Sequence, residues 1–372
     1  MSLLVLKFGG TSVESPERLR VVARHIAGIR AQGHDVAVVV SAMGHTTDRL
    51  LELAGSVAES GRTPGRELDL LLATGEQSAA ALLALALHDI GARACSLTGA
   101  QAGIRTDGRH GDARIQAVHV ARVRRVLADG CVPIVAGFQG VSAGREVTTL
   151  GRGGSDTTAV ALAIALRADR CDVYTDVDGI YSADPRVVAT ARRHAHLTHR
   201  DALRFTLAGA DVLHPRAAAL ALTRDLPLRI LSSLGMEIDH DPADGGTRID
   251  GGSSVHAPRL LGIAAASDDA RLGDPVARVT IVGAGVSVFA ARIADAVQQL
   301  AHAGLEVETV GVTKLGFVVH VTPARADDAV RLLHDALLGA EHQSSRGPNT
   351  RRSTTHATPA VATGRGSAAC HA

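Results

Sequence analysis

Two glycine loops carry the polar residues best suited to handling phosphate. Lys7-Phe8-Gly9-Gly10-Thr11-Ser12-Val13 follows a short apolar run and precedes a helix expected to begin near Ser15-Pro16. Glycines let backbone N–H groups approach a polyphosphate, a helix N-terminus adds a favourable dipole, and Lys7 neutralises charge on a transferring group. The string is neither a Walker loop nor a dinucleotide GxGxxG, and taken alone it fits a tight β-to-α turn as readily. A second loop, Leu150-Gly151-Arg152-Gly153-Gly154-Ser155-Asp156-Thr157-Thr158, opens a long Ala-rich helix. Arg152 offers a bidentate clamp for a carboxylate, and Asp156 is either a helix cap or an organiser of cations and lysines. A third segment, from Thr175-Asp176 through Asp178-Gly179 and Tyr181 to Asp184-Pro185-Arg186, runs from a strand into an acidic turn. Its DxDG lacks the later acidic ligand of a calcium loop and follows a strand instead of a helix. It reads as a nucleotide edge, with the acids and Tyr181 toward base or ribose and Arg186 toward phosphate.

The elements that must position these loops alternate regularly. LLVLKF, a helix from about Ser15 to Gln32, DVAVVVSAM, CVPIVAGF, SDTTAVALAIALRA, DVYTDV and LPLRILSS alternate β-branched runs with helical stretches. That order specifies an α/β fold with a mostly parallel sheet sandwiched by helices. The uninterrupted apolar run Val36 to Val40 suits a strand buried on both faces. Asp239 to Ser254 is rich in Asp, Gly, Pro and Ser, which places the end of a first domain near residue 250. Residues 257–340 then read as a βαββα ferredoxin-like unit, and 341–372 as a disordered tail containing Cys370.

Composition narrows the partners. With 39 Lys and Arg against 38 Asp and Glu in 372 residues, no basic field exists for nucleic acid or an anionic membrane. Five Phe, two Tyr and no Trp leave few rings on which bases could stack. Cys95, Cys131, Cys171 and Cys370 lack CxxC spacing, which argues against a disulfide framework, and the first three suit small buried hydrophobes. The Leu3 to Leu6 run is broken by Lys7, so no secretory signal is expected, and no stretch reads as the ~20 apolar residues of a membrane span. A cytoplasmic setting follows.

The motifs together resemble those of the aspartate kinases in the amino-acid kinase superfamily. The matching strings are KFGGTSV at 7–13, SAMGHTTDRLL at 41–51, TGEQ at 74–77, GAQAGIRTD at 99–107, VPIVAGFQGV at 132–141, TTLGRGGSDTTAVALA at 148–163 and YTDVDGIYSADPR at 174–186. The resemblance implies a kinase domain over 1–250 that passes the γ-phosphoryl of ATP to the side-chain carboxylate of L-aspartate, the first step toward lysine, threonine, methionine and diaminopimelate. It implies catalytic roles for Lys7, Glu76 and Asp156. It implies substrate contacts from Thr47, Glu76, Arg152, Gly153, Gly154 and Ser155, and nucleotide contacts from Lys7, Phe8, Gly9, Gly10, Ser41, Thr175, Asp176, Tyr181 and Arg186. Magnesium is expected mainly on the nucleotide phosphates, with no metal held by the protein alone. A carboxylate is already an ionised nucleophile, so no general base is needed. His45, His110, His214 and the trio His194, His196 and His199 accordingly read as surface or turn residues.

Two departures stand out. Where the family often has GAKVLHP, this chain reads Gly209-Ala210-Asp211-Val212-Leu213-His214-Pro215, an acid in place of a cation that only Arg216 or Arg186 could offset. The segment after residue 257 resembles ACT regulatory modules but has room for about one where the family typically carries two. Weak or absent inhibition by lysine or threonine is therefore expected, as is a homodimer formed through this region. A kinase for a related amino-acid carboxylate, and a weakly catalytic regulatory paralogue, are the competing readings.

Overall fold

The computed structural model describes residues 2–58, 63–234, 245–252, 258–268 and 276–339. Strand β1 (Leu3–Phe8) leads through the Gly9-Gly10 turn into α1 (Pro16–Ala31), which Ser15 caps by accepting the Arg18 N–H at 3.3 Å, with Pro16 at its first position. There follow β2 (Asp35–Val40), α2 (Thr46–Val57), α3 (Gly65–Asp89), β3 (Ala94–Leu97), β4 (Ile104–Thr106), β5 (Ile115–Val118) and α4 (Ala121–Ala128). Next come β6 (Val132–Ala136), β7 (Gln139–Val141), β8 (Val147–Thr149), α5 (Gly154–Leu166), β9 (Arg170–Thr175), β10 (His196–Thr198), α6 (His199–Ala208), α7 (Pro215–Arg224), β11 (Leu228–Ser232) and β12 (Thr247–Asp250).

The main sheet has the order β10-β12-β11-β9-β1-β2-β6-β3, and its six strands from β11 to β3 run parallel. The chain leaves β1 first toward β2 and later returns on the other side as β9. Their carboxyl ends therefore form the switch point where ligands bind in open α/β sheets. The period of two along β1 settles which side chain meets which layer. Leu4, Leu6 and Phe8 enter the core under α1 and α3, whereas Val5 joins the opposite core with α5, α6 and α7. Lys7 shares the face of Val5 and so emerges beside the start of α5. A small sheet, β5-β4-β7-β8, was not anticipated and brings 104–118 against 139–149.

Beyond it lie β13 (Arg259–Asp268), β14 (Val276–Ala284), α8 (Ala290–His302), β15 (Val307–Val312), β16 (Gly316–Val321) and α9 (Ala326–His334). They form an antiparallel sheet of order β13-β14-β16-β15. The observed order is ββαββα, one strand more than expected, because β13 pairs with β14 along its length and buries Leu261 and Ile263. The core of this sheet also takes Ala183 and Val188 from the segment between β9 and β10.

The acidic, glycine-rich stretch at the end of the expected first domain contains β12, which pairs antiparallel with β11 and buries Thr247 and Ile249. Two other expectations need correction. Cys171 is buried, but Cys95 and Cys131 are only half-buried. One helix, α3, is long and apolar enough to cross a bilayer by length and composition, contrary to the reading above; half of its most apolar window is buried inside the protein. The tail at 341–372 lies outside the described residues.

Candidate active site

Lys7 Nζ sits 2.7 Å from Asp156 Oδ1, with both side chains largely buried. The other Asp156 oxygen accepts the His214 N–H at 3.1 Å. Asp156 is thus no simple cap: it joins the end of β1 to the start of α7 across the N-terminus of α5. The Gly9 N–H donates to the Tyr174 carbonyl at 3.2 Å and the Gly44 N–H to the Gly10 carbonyl at 3.1 Å, which fixes the first glycine turn between the ends of β9 and β2. A Cβ on Gly10 would meet the Ala42 carbonyl at 3.0 Å, and one on Gly9 would come to 3.5 Å from Lys7 Nζ. Phe8 is fully buried and stacks on Tyr174, with ring centroids 4.8 Å apart. Its side chain lies in the core on the face away from Lys7, and its carbonyl accepts the Ser41 N–H at 3.1 Å.

Glu76, on α3, is 4% exposed. One carboxylate oxygen accepts the Ala42 N–H at 3.1 Å, and the other has no hydrogen-bond partner among the described residues. Burial pushes its pKa up to about 7, only partly offset by hydrogen bonds from Ala42 and its own backbone. Gly75 makes this placement possible: a Cβ there would press on Ala42 Cβ at 3.0 Å and approach Thr46. Thr47 lies half-buried in the first turn of α2, next to that contact.

The second glycine loop is held from several sides. Gly153 adopts φ 65°, and a Cβ there would fall 2.0 Å from the His214 ring. Gly154 packs on Phe138, and Ser155 Oγ would lie 2.7 Å from a Cβ on Gly137. Arg152 is exposed between them, with no hydrogen bond or ion pair among the described residues. Burial lowers the pKa of His214, and its ring accepts the Arg216 N–H at 3.2 Å as the cap of α7. His214 is therefore a structural neighbour of Asp156, which the His-Pro pair at a helix start could have signalled. Gly137 gave no such signal.

At the remaining edge, Thr175 Oγ1 donates to Asp176 at 3.0 Å and the Tyr181 hydroxyl donates to Asp178 at 2.7 Å. That bond raises the Tyr181 pKa, with burial second. Arg186 is exposed and clamped by Asp184, which holds the guanidinium above its usual range, with Asp176 and Asp211 adding to the effect. Asp211 itself is exposed. Arg216 is not free to offset it, because it donates to the Leu150 carbonyl at 2.8 Å and pairs with Asp112. Among the described residues, no three His, Cys, Asp or Glu side chains converge as a metal site.

The profile described as "Amino acid kinase family" matches residues 2–232. An aspartokinase of Geobacillus stearothermophilus is 48% identical over 284 residues, and one of Corynebacterium glutamicum is 48% identical over 276; these cover 76% and 73% of this chain. The chain spans 66% and 63% of their lengths, just under two thirds. E. coli aspartokinase III, solved with aspartate and ADP, superposes with a TM-score of 0.76 over 90% of this chain and 99% of that one, at 22% identity, a likeness of fold. With the profile spanning every strand of the main sheet except β12, the chain belongs to the amino acid kinase family.

Proposed function

We propose that the chain is an aspartate kinase, transferring the γ-phosphoryl of ATP to the side-chain carboxylate of L-aspartate. The observation that carries this reading is the joint placement, at one end of the parallel sheet, of the Lys7–Asp156 pair beside the Gly9-Gly10 turn and of the half-satisfied Glu76 carboxyl. The 48% identity to aspartokinases favours aspartate over another carboxylate. Glu76 receives the acceptor's ammonium group, Arg152 its α-carboxylate, and Thr47 and Ser155 flank it. Backbone N–H groups of the Gly9-Gly10 turn and Lys7 hold the phosphates, while Ser41, Thr175, Asp176, Tyr181 and Arg186 line the nucleotide side.

An acceptor carboxylate oxygen attacks the γ-phosphorus, the bond to the bridging oxygen breaks, and ADP leaves with the electron pair. The chain's own part is alignment and charge neutralisation: Lys7 balances the equatorial oxygens, and Asp156 fixes where its ammonium sits. Asp156 pairs with Lys7, and among the described residues no three His, Cys, Asp or Glu side chains converge, so magnesium fits as an ion carried by the nucleotide, where it would neutralise phosphate charge. Residues 257–340 serve as an ACT-like unit, and edge strand β15, with Val310 and Val312 exposed, suits pairing with a second copy in a cytoplasmic homodimer.

Trapping of the acyl phosphate with hydroxylamine, using ATP, magnesium and L-aspartate, tests the reading. Wild type should give aspartyl hydroxamate, and Lys7→Ala should reduce the rate about 10²- to 10³-fold, the usual cost of one transition-state donor. A folded wild type that yields no hydroxamate overturns it.

A further inference from the structure

Asp69 is a buried carboxylate that the reaction above does not use. It lies on α3, 1% exposed, seven residues before Glu76 and so about two turns away on the same side of the helix. Its oxygens accept from the Thr149 hydroxyl at 2.5 Å, from His110 Nδ1 at 2.7 Å, and from the Gly111 N–H at 3.1 and 3.2 Å. Those donors come from two other segments. Thr149 ends β8 and immediately precedes the Leu150-Gly151-Arg152 loop. Gly111 belongs to a turn that the Ala113 N–H ties to the Thr149 carbonyl at 2.9 Å. The same turn carries Asp112, which pairs with Arg216 at the start of α7, two residues from His214.

We propose that Asp69 is a positioning residue that sets the distance between the acceptor's two anchors, Glu76 on α3 and Arg152 on the loop after β8. The inference rests on the aspartate-kinase reading. Arg152 is exposed and lacks an ion pair among the described residues, so nothing in its own side-chain contacts fixes it. The backbone on which it sits is fixed instead, through Thr149 and Gly111, to the helix that carries Glu76. Loss of these bonds moves the two anchors relative to each other and leaves the Gly9-Gly10 turn, held from β9 and β2, where it was. The signature is weakened acceptor binding with nucleotide binding unchanged, which a general loss of stability would not produce.

Two shape-preserving changes and a control test this: Asp69→Asn, Thr149→Val and Thr149→Ser. The amide of Asp69→Asn presents an NH2 to donors that need an acceptor, and Thr149→Val replaces the hydroxyl with a methyl of similar size. Each should raise KM for L-aspartate about tenfold or more, the scale of a lost hydrogen bond to a charged group, while KM for ATP stays within about twofold. Thr149→Ser keeps the hydroxyl and should resemble wild type. If Asp69→Asn fails to fold, the Val and Ser variants at 149 decide the matter. Parallel rises in both KM values, a Thr149→Ser variant behaving like Thr149→Val, or unchanged kinetics in folded variants overturns the proposal. Amide hydrogen exchange over 108–113 and 149–153 decides without turnover: faster exchange in Thr149→Val supports it, and unchanged exchange overturns it. A wild type inactive with L-aspartate therefore sinks the functional reading alone.

Discussion

Glu76 offers the sharpest quantitative test of the site. Its folded-state pKa of about 7 lies above the ordinary 4.5, and burial is the chief cause. At about 1.4 kcal/mol per pKa unit, holding this carboxylate ionised in the empty site costs about 3 kcal/mol. Between pH 4.5 and about 7 the folded chain binds this proton and the unfolded chain does not, so stability falls as pH rises through that window and levels off above it. Binding an ammonium group beside the unpartnered oxygen reverses the penalty, but only once the proton has left. Below pH 7 each acceptor bound must displace a proton, and kcat/KM for L-aspartate should fall toward tenfold per pH unit. The assay is hydroxamate formation at subsaturating aspartate and saturating ATP from pH 5.5 to 8.5. Wild type should rise to a plateau with an apparent pKa near 7. Glu76→Gln should lose the rise, sit well below the wild-type plateau, and melt with less pH dependence. A flat wild-type profile, or the same profile in Glu76→Gln, refutes the assignment of Glu76 to the ammonium group.

Gly153→Ala should strain a left-handed backbone by about 1–2 kcal/mol and drive a methyl into the His214 ring. Because His214 holds Asp156, kcat/KM should fall about 10²-fold, the scale of a 1 Å misplacement, and a near-normal rate would show that the contact is slack. Asp211→Lys replaces an exposed acid near Arg186 with a cation and should raise kcat/KM for ATP roughly two- to fivefold at low salt. That gain should vanish at high ionic strength; persistence there would count against an electrostatic origin.

Much of the frame was legible because its signals are local. The helix expected from Ser15 to Gln32 is α1, Pro16–Ala31, since Ser15, Pro16 and the apolar spacing all act within one element. The two glycine loops were legible for the same reason: Gly153 at φ 65° is a backbone need that only a few residues satisfy. Asp156 was ambiguous because its partner Lys7 lies 149 positions away, and only the pleat of β1 against α5 brings them together. Asp69 left no trace as a lone acid in an apolar helix, with partners 41, 42 and 80 residues distant. Strand β13 escaped because LLGIAAAS has too many small residues to show an alternation of large and polar side chains.

The segment between β9 and β10 does not simply cross to the next strand. Ala183 and Val188 enter the core of the four-stranded sheet, the Ser182 carbonyl accepts the Ile263 N–H at 2.8 Å, and Ser182 Oγ lies 3.0 Å from His334 Nε2. A gene cut at residue 250 would leave these side chains bare on one fragment and deprive the other of part of its interior. The two sheets should therefore melt as one cooperative event, and a mutation that loosens β13 or α9 would reach Tyr181 through a single peptide bond.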